Sequence, residues 1–281
     1  MAIDPQSVGA ESSVHTLRYD WKTLVLYALG VGATRSELDL VYEARGPKVL
    51  PTFGVVPAYP VLMDLLAVSG GSLDRLVHGG QSVTMHGPLP PSGELSTRGV
   101  VTGVYDLKRM TQLVFKTSTS LDGRLVFESE WSMLVLGEGG FDGPRPPKSP
   151  IPKVPSGAVP VFVFEERVSP EQALLYRLSG DPNPLHIDPD VAKMFGFERG
   201  PILHGLATYG FAARALIQSC LGGDPSRLVT FQGQFRKPFW PGDVLRSEGF
   251  EVEGRYVLRS TSGGADNVVA LFAADTKPAG A

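Results

Sequence analysis

The chain has little cysteine, little excess of either charge and no long apolar run, and each absence excludes a class of protein. Cys220 is its one cysteine, so no intrachain disulfide can form. The formal net charge is −3 without a basic stripe, which argues against nucleic-acid binding. No stretch reaches the ~18–20 apolar residues of a membrane span, and residues 1–15 do not resemble a signal peptide. We therefore expect a cytoplasmic chain that neither spans a membrane nor binds nucleic acid.

The composition leaves room for two ordinary domains. With 281 residues, 42% hydrophobic and 20% charged, the chain can bury a core in each of two domains of roughly 130–150 residues. A glycine- and proline-rich stretch breaks the sequence near its middle, and proline resists helix and central strand. We predict a first half at 1–136, an extended linker at 137–160 and a second half at 161–281.

The two halves resemble each other. Similar segments surround three residue pairs that lie 149, 150 and 150 residues apart in the same order: Tyr27 and Tyr176, Pro51 and Pro201, Pro88 and Pro238. Three matches at nearly one spacing predict a duplicated domain. The alternative is chance similarity among apolar and turn residues.

Each half has the same coarse plan of a short helix, a longer apolar helix and a run of strands. The short helices are predicted at 21–29 and 170–178, and the longer ones at 55–68 and 201–216. Small and apolar residues surround the last of these, which is typical of a buried helix. Strands are predicted at 82–86, 94–105, 111–118, 124–136, 228–235, 244–251, 255–262 and 268–273. The pattern predicts an α+β fold in which antiparallel sheets wrap around a central helix.

A proline-stiffened loop at 181–186 has the side chains of an acid/base centre. Asp181, Asn183 and His186 supply a carboxylate, an amide and an imidazole, and the intervening Pro182 and Pro184 prevent a helix. Histidine exchanges protons near neutral pH, and a tuned carboxylate does so beside it. The alternative is an ordinary turn in which Asp181 bonds its own backbone.

A second segment, 200–205, leads into the predicted buried helix. The first amides of a helix are unpaired donors at the positive end of its dipole. Gly205 has no side chain to keep a carbonyl away from them, as an oxyanion site requires. The alternative is that Gly205 only permits close packing.

The string from Tyr176 to His186 resembles the hallmark of the hydratase 2 (MaoC-like) family of (R)-specific enoyl-CoA hydratases, in its double hot-dog form. The string Tyr-x-Leu-Ser-Gly-Asp-x-Asn-Pro-Leu-His is matched throughout. Four further segments resemble recurring family sequences: 76–81, 139–141, 201–206 and 235–242. The resemblance covers nearly the whole chain and implies two tandem hot-dog repeats.

The resemblance also implies residue roles. Asp181 and His186 would activate a water and move a proton at the α-carbon, Asn183 would position them, and the N–H of Gly205 would polarise the thioester carbonyl. Substrate contacts would come from His78, Gly79, Lys108, Pro182, Pro184, Leu185 and Phe235. Lys108 departs from the family pattern, because Asp-Leu-Lys-Arg stands where relatives often have Asp-Lys-Gly.

Several further expectations complete the sequence-based picture. At the repeat spacing, Gly32 and Glu37 replace Asp181 and His186, which predicts one reaction centre per chain and a first half that houses the acyl tail. We expect an acyl-CoA substrate, no cofactor and a homodimer. The alternatives are an acyl-carrier-protein-dependent dehydratase and a non-catalytic thioester-binding subunit.

The remaining histidines are expected to be structural or solvated. His15 is placed in a solvated tail, and His86 and His204 in structural positions. Because the histidines do not cluster with acids at ligand spacing in the sequence, we predict no metal site.

Overall fold

Ten antiparallel strands form a single sheet in the computed structural model, which describes residues 2–278. Residues 1 and 279–281, the outer ends of the predicted halves, lie outside the described residues. The strands are β1 His15–Tyr19, β2 Leu76–Met85, β3 Gly93–Asp106, β4 Met110–Leu121, β5 Arg124–Leu136, β6 Phe162–Arg167, β7 Leu228–Phe235, β8 Val244–Val252, β9 Arg255–Thr261 and β10 Val268–Thr276. The helices are α1 Trp21–Gly30, α2 Leu38–Val41, α3 Tyr59–Ser69, α4 Gln172–Tyr176, α5 Pro189–Met194 and α6 Gly205–Cys220.

The strand order confirms the predicted duplication. The order across the sheet is β1-β3-β4-β5-β2-β7-β10-β9-β8-β6, so the second half repeats the first in reverse direction. A pseudo-twofold axis therefore passes between β2 and β7. These two strands pair from Gly80 opposite Gln234 to Thr84 opposite Thr230, and they join the halves into one continuous sheet.

Helix α6 is the buried central helix of the second half. Every residue from Leu206 to Ile217 is buried. Close packing against the first half requires Gly210, because a Cβ at this position would lie 2.3 Å from Cγ1 of Val31. The helix begins four residues later than predicted. The preceding segment stays extended, with the N–H of Leu203 bonded to the carbonyl of Phe239 at 2.7 Å.

Helix α3 is the counterpart of α6 in the first half, and it is shorter. It has 11 residues where α6 has 16. The predicted start at residue 55 was wrong, because residues Pro51–Val55 form a 3-10 turn and Pro57 precedes the α-helix. Proline lacks the N–H that an interior helical position needs. The first half therefore has no counterpart to the first turn of α6.

Two strands were missed, and the start of a third was predicted six residues too late. The missed strands β1 and β6 are the sheet edges, where alternate residues face solvent and charged side chains are common. Strand β2 begins at Leu76 rather than 82, and its first part contains two glycines and a bulge between His78 and Gly80. Glycine weakens the strand pattern in a sequence.

The placement of His15 in a solvated tail was also wrong. His15 begins β1, and its Nε2 lies 2.8 Å from the Asp64 carboxylate on α3. His86 follows β2 and contacts Glu128 at 3.0 Å.

Between Leu136 and Phe162 the described chain forms no helix or strand. Within residues 2–278, no helix is both long and apolar enough to cross a membrane.

Candidate active site

A cavity of about 490 Å³ lies where the two halves meet. The second half contributes the 181–186 loop, the start of α6 and the end of β7. The first half contributes α3, the start of β2 and part of β5. One wall is mainly apolar, and its side chains include Leu62, Met63, Leu66, Val77 and Trp131. The cavity therefore brings polar groups of one half to an apolar wall of the other.

Local hydrogen bonds set the shape of the loop. After α4 the chain passes Gly180 in a left-handed conformation, with φ of 118°. The Asp181 carboxylate accepts from the N–H of Asn183 at 3.2 Å, and the Asn183 side chain accepts from the N–H of Leu185 at 3.1 Å. The turn that we considered as the alternative role of Asp181 is therefore present. Asp181 nevertheless lines the cavity, so the turn and a reactive role are compatible.

His186 presents one free ring nitrogen to the cavity. Its Nδ1 lies 2.9 Å from the carbonyl oxygen of Ile202. A carbonyl can only accept, so Nδ1 bears the proton and Nε2 keeps its lone pair. Burial lowers the pKa of His186, while the Asp181 charge opposes that shift. The ring is therefore neutral at pH 7, the form a general base needs.

His204 packs against both Asp181 and His186, which we call the dyad. Its ring lies 3.8 Å from that of His186, and its Nε2 donates to the Asp181 carbonyl oxygen at 3.3 Å. The side chain is 1% exposed, and burial lowers the pKa of His204 to about 2. We expected only a structural position for this residue. Its contacts with the dyad depend on the folded loop, and the nearest clue in the sequence is its place before Gly205.

Three potential metal ligands meet here, contrary to the expectation that the histidines do not cluster. Donor atoms of Asp181, His186 and His204 lie within 4.8 Å of one another. The two rings are tilted at an interplanar angle of 30°. One nitrogen of each ring lies against a backbone carbonyl, Nδ1 of His186 against Ile202 and Nε2 of His204 against Asp181, so each ring keeps one lone pair.

Gly205 is the first residue of α6 and lines the cavity. Among the described residues, no acceptor is bonded to its N–H. A Cβ at this position would lie 3.5 Å from the ring of Phe235, so the glycine leaves a small space in front of the helix terminus. An unpaired amide at the positive end of a 16-residue helix can stabilise a developing oxyanion.

The other predicted contact residues divide into two groups. His78, Gly79, Leu185 and Phe235 line the cavity. His78 stacks on Trp131 at 5.3 Å and bonds the Gly80 carbonyl at 2.9 Å, and burial lowers its pKa to about 4. The second group, Lys108, Pro182 and Pro184, is not among the residues that line this cavity. Lys108 lies in the β3–β4 hairpin with φ of 68°.

Tyr59 is a cavity residue that sequence reasoning missed. It is the first residue of α3, in the half without the dyad, and it lines the cavity with Asp181. Burial raises the pKa of its hydroxyl, and the nearby Asp181 carboxylate raises it further. The phenol therefore stays protonated and can donate toward that carboxylate.

The counterpart of the dyad in the first half has no such chemistry. Glu37 occupies the position equivalent to His186, and its carboxylate lies 2.9 Å from Nη1 of Arg214. Arg214 is 2% exposed and also pairs with Glu166. A buried ion-pair cluster thus occupies the second potential reaction centre.

The chain is similar to known proteins along nearly its whole length. One family model, described as the MFE-2 hydratase 2 N-terminal domain, matches residues 17–137, and another, described as a MaoC like domain, matches 153–271. The peroxisomal multifunctional enzyme type 2 of Mus musculus is 39% identical over 255 residues, covering 86% of this chain but only 34% of that enzyme. The chain thus spans about a third of that relative.

A relative of similar length and a solved structure extend the match. The 3-hydroxyacyl-thioester dehydratase Y of Mycobacterium tuberculosis is 36% identical over 287 residues, covering 98% of this chain and 97% of that protein. The crystal structure of a MaoC-like dehydratase from Phytophthora capsici aligns with a TM-score of 0.88 and 26% identity over 99% of each chain. With the duplicated strand order, these matches confirm the double hot-dog fold. The chain belongs to the hydratase 2, MaoC-like dehydratase family.

Proposed function

We propose that this chain is a hydro-lyase that reversibly adds water to trans-2-enoyl-CoA and forms (R)-3-hydroxyacyl-CoA. One observation carries the proposal: the Asp181–His186 pair and the free Gly205 amide face the same cavity, beside an apolar wall. This combination provides a base, an oxyanion donor and space for an acyl chain. The Mycobacterium tuberculosis relative is named a 3-hydroxyacyl-thioester dehydratase, which favours the same reaction class.

The reaction needs only a water and these protein groups. Asp181 and Nε2 of His186 hold the water, whose O–H bond breaks as its oxygen bonds C3 of the enoyl group. The proton is passed to C2, where a new C–H bond forms. Negative charge that develops on the thioester oxygen is stabilised by the Gly205 N–H. The thioester carbonyl delocalises the charge at C2, so we propose that no cofactor takes part.

Two further residues hold the dyad in place. Asn183 shapes the loop by bonding the N–H of Leu185. His204 contacts both dyad residues and directly precedes the oxyanion amide. We assign both as positioning residues, because neither of these contacts uses a group that must react.

The acyl chain and the CoA end take opposite ends of the cavity. Leu62, Met63 and Leu66 of α3 line an apolar region for the acyl tail. Arg75, Arg236 and Lys237 supply positive charge at another part of the lining, which suits the CoA phosphates. The first half would thus select the acyl chain, while the second performs the chemistry.

Kinetics of two variants test the proposed function. Asp181→Asn and His186→Gln are each expected to lower kcat for hydration of trans-2-enoyl-CoA by about 10²–10⁴-fold, because a positioned acid or base contributes that much. Circular dichroism checks that the fold is retained, and chiral analysis checks for the (R) product. Near-wild-type turnover by either variant, or an (S) product, would refute the assignment.

The main alternative concerns the group that carries the acyl chain, coenzyme A or acyl carrier protein. A dehydratase that uses acyl carrier protein would keep the same dyad, and the Mycobacterium tuberculosis relative is named for a thioester without a stated carrier. Comparing kcat/KM for the CoA and carrier-protein forms of one enoyl chain separates the two. A non-catalytic thioester-binding subunit would show no turnover with either form.

We also propose a homodimer, in which the exposed edges of the sheet are candidates for contact between subunits. Light scattering coupled to size-exclusion chromatography measures the number of chains per particle directly.

A cytoplasmic location likewise stays a proposal, because the mouse relative is named peroxisomal. Fluorescence microscopy of the tagged full-length protein in its native cell tests the location.

A further inference from the structure

A second cleft, of about 630 Å³, lies at the other end of the β2–β7 pair. The active-site cavity includes the start of β2 and the end of β7. The second cleft includes Met85 at the end of β2, and Leu228 and Val229 at the start of β7. Because the two strands are antiparallel, the clefts occupy opposite ends of the seam between the halves.

The repeat relates the two clefts residue by residue. Ten lining residues of the second cleft have counterparts 150 positions away in the chain that line the active-site cavity. Five pairs run forward: Met85 and Phe235, His86 and Arg236, Gly87 and Lys237, Pro88 and Pro238, and Leu89 and Phe239. Five run in the reverse direction: Asp224 and Asp74, Pro225 and Arg75, Ser226 and Leu76, Leu228 and His78, and Val229 and Gly79. The second cleft is therefore the pseudo-twofold counterpart of the active-site entrance.

The second cleft resembles the active-site entrance but lacks the groups that would react with a thioester. The position equivalent to His186 is Glu37, which is paired with buried Arg214. The residues equivalent to the first turn of α6 form a 3-10 turn and the segment before Tyr59. An acyl group thus has neither a base nor a helix terminus to meet there. Only the outer part of a thioester substrate would find a matching surface.

The charges of the two entrances are similar. Apart from Asp181 of the 181–186 loop, the active-site cavity is lined by Arg75, Arg236 and Lys237 with one acid, Asp74. The second cleft is lined by Lys48, His86 and Lys277, again with one acid at the equivalent position, Asp224.

Two of the second cleft's basic groups already have partners. Lys48 contacts Asp39 at 2.9 Å, and His86 contacts Glu128 at 3.0 Å. Exposed pairs of this kind are worth little, so a phosphate can recruit the lysine at small cost. No ion pair involving Lys277 occurs among the described residues. We therefore expect weaker anion binding here than at the active-site entrance.

We propose that the second cleft binds the phosphorylated nucleotide end of a second coenzyme A molecule, without turning it over. The inference rests on the proposed function, because it assumes that the equivalent surface of the active-site cavity receives that end of the substrate. The ligand is recognised by its phosphates, through Lys48 and Lys277, whether it is free coenzyme A or the CoA portion of an acyl-CoA.

Calorimetric titration of the full-length protein with free coenzyme A tests the proposal. Wild type is expected to bind two molecules per chain, one of them more weakly. Lys48→Glu combined with Lys277→Glu should weaken only that second event, by at least about tenfold. Turnover of a short enoyl-CoA should be unchanged, because neither lysine belongs to the catalytic machinery. Arg236→Glu combined with Lys237→Glu should weaken the other event.

A matched pair of charge reversals controls for general electrostatics. Lys148 and Lys153 are exposed and line neither cleft, so Lys148→Glu with Lys153→Glu should leave both binding events intact. If this control weakens the second event equally, binding is non-specific and the inference is wrong.

The remaining outcomes separate the inference from the proposed function. One coenzyme A per chain, lost in the Arg236 and Lys237 double variant, would overturn the second site and leave the function standing. Two bound molecules, neither affected by the Lys48 and Lys277 double variant, would also overturn it. If the protein neither binds coenzyme A nor turns over enoyl-CoA, the proposed function itself is refuted.

Discussion

At the scale of single residues, His204 influences the dyad through its position rather than its charge. Its burial lowers its pKa to about 2, so it is neutral throughout the working range. Its ring lies 3.8 Å from that of His186 and is part of the surroundings that bury it, and burial lowers the pKa of His186 below its usual value. His186 therefore loses its proton at lower pH than an exposed histidine and is available as a base in mildly acidic solution.

Two substitutions of His204 separate ring packing from hydrogen bonding. His204→Ala should admit water and raise the pKa of His186 toward its usual value, so the acidic limb of the kcat/KM profile moves to higher pH. His204→Phe keeps a ring over His186 and should leave that limb in place, while kcat falls because the bond to Asp181 is lost. Identical pH profiles for both variants and wild type would contradict the positioning role.

Local sequence predicts which polar residues of the 181–186 loop and the start of α6 line the cavity better than it predicts the residues around them. Asp181, Asn183, His186 and Gly205 lie in two short segments, and the structure brings these segments to one cavity. Tyr59 reaches the cavity from the other half, and such contacts leave no local pattern in a sequence. Lys108 was expected in the site by resemblance to the family but does not line the cavity. Its hairpin differs from the family sequence by a shift of one residue, so the family contact does not carry over to it.

At the scale of elements, the start of α6 is the part most directly open to test. Proline is well tolerated at the first helical position, and it removes only the N–H. The preceding residue must be extended, and His204 already has φ of −54° and ψ of 133°. Gly205→Pro should therefore preserve the helix while lowering kcat by about 10²–10³-fold, the usual effect of losing one oxyanion donor.

Gly205→Ala is the matched control for this experiment. It keeps the amide, and its Cβ would lie at ordinary contact distance, 3.5 Å, from the Phe235 ring. We expect a smaller loss of kcat than with proline. Equal losses in the two variants would show that space, not the amide, is what Gly205 provides. Thermal unfolding of both variants checks that α6 is intact.

Helix α3 is predicted to set the range of acyl chains. Met63 lines the cavity, so Met63→Trp should lower kcat/KM for long enoyl-CoAs much more than for short ones. Val68 lies on the same helix, is 45% exposed and does not line the cavity, so Val68→Trp is the control. Steady-state kinetics over a series of chain lengths measures the effect. An equal loss at every length would contradict a tail-binding role for α3.

Element boundaries show where a sequence is informative. Proline and glycine predicted an extended stretch at 137–160, where the structure has no helix or strand, and the loop at 181–186, since their backbone limits act locally. The same residues did not fix the start of α3, because a 3-10 turn and a helix share much of their sequence pattern. Strands β1 and β6 were missed because they lie at the sheet edges, where each pairs with one neighbouring strand only. Their residues alternate between partly buried and exposed, so they lack the apolar run by which the other strands were predicted.

At the scale of the whole molecule, Arg214 joins the two halves. It pairs with Glu37 of the first half and Glu166 of the second, and its Nε donates to the Val31 carbonyl at 3.0 Å. Arg214→Met would leave the Glu37 and Glu166 carboxylates, 7% and 20% exposed, without a cation. Breaking a buried pair typically costs about 3–5 kcal/mol of unfolding free energy, and urea denaturation measures the loss.

Neutralising the whole cluster tests the reason for that loss. Arg214→Met combined with Glu37→Gln and Glu166→Gln should recover much of the stability, because no unpaired charge remains buried. Arg18→Met breaks only the exposed contact with Glu94 and should have no measurable effect. If the triple variant is no more stable than Arg214→Met alone, lost packing rather than uncompensated charge explains the destabilisation.

The continuous seam between β2 and β7 has a consequence for how such an enzyme can diversify. In an assembly of two identical subunits, every substitution appears twice, so a wall cannot widen beside one reaction centre without widening beside the other. Here the two copies share one polypeptide, and each can vary alone. The cavity wall formed by α3 and β2 can therefore be redesigned while the 181–186 loop, 96 or more residues further along the chain, is left untouched.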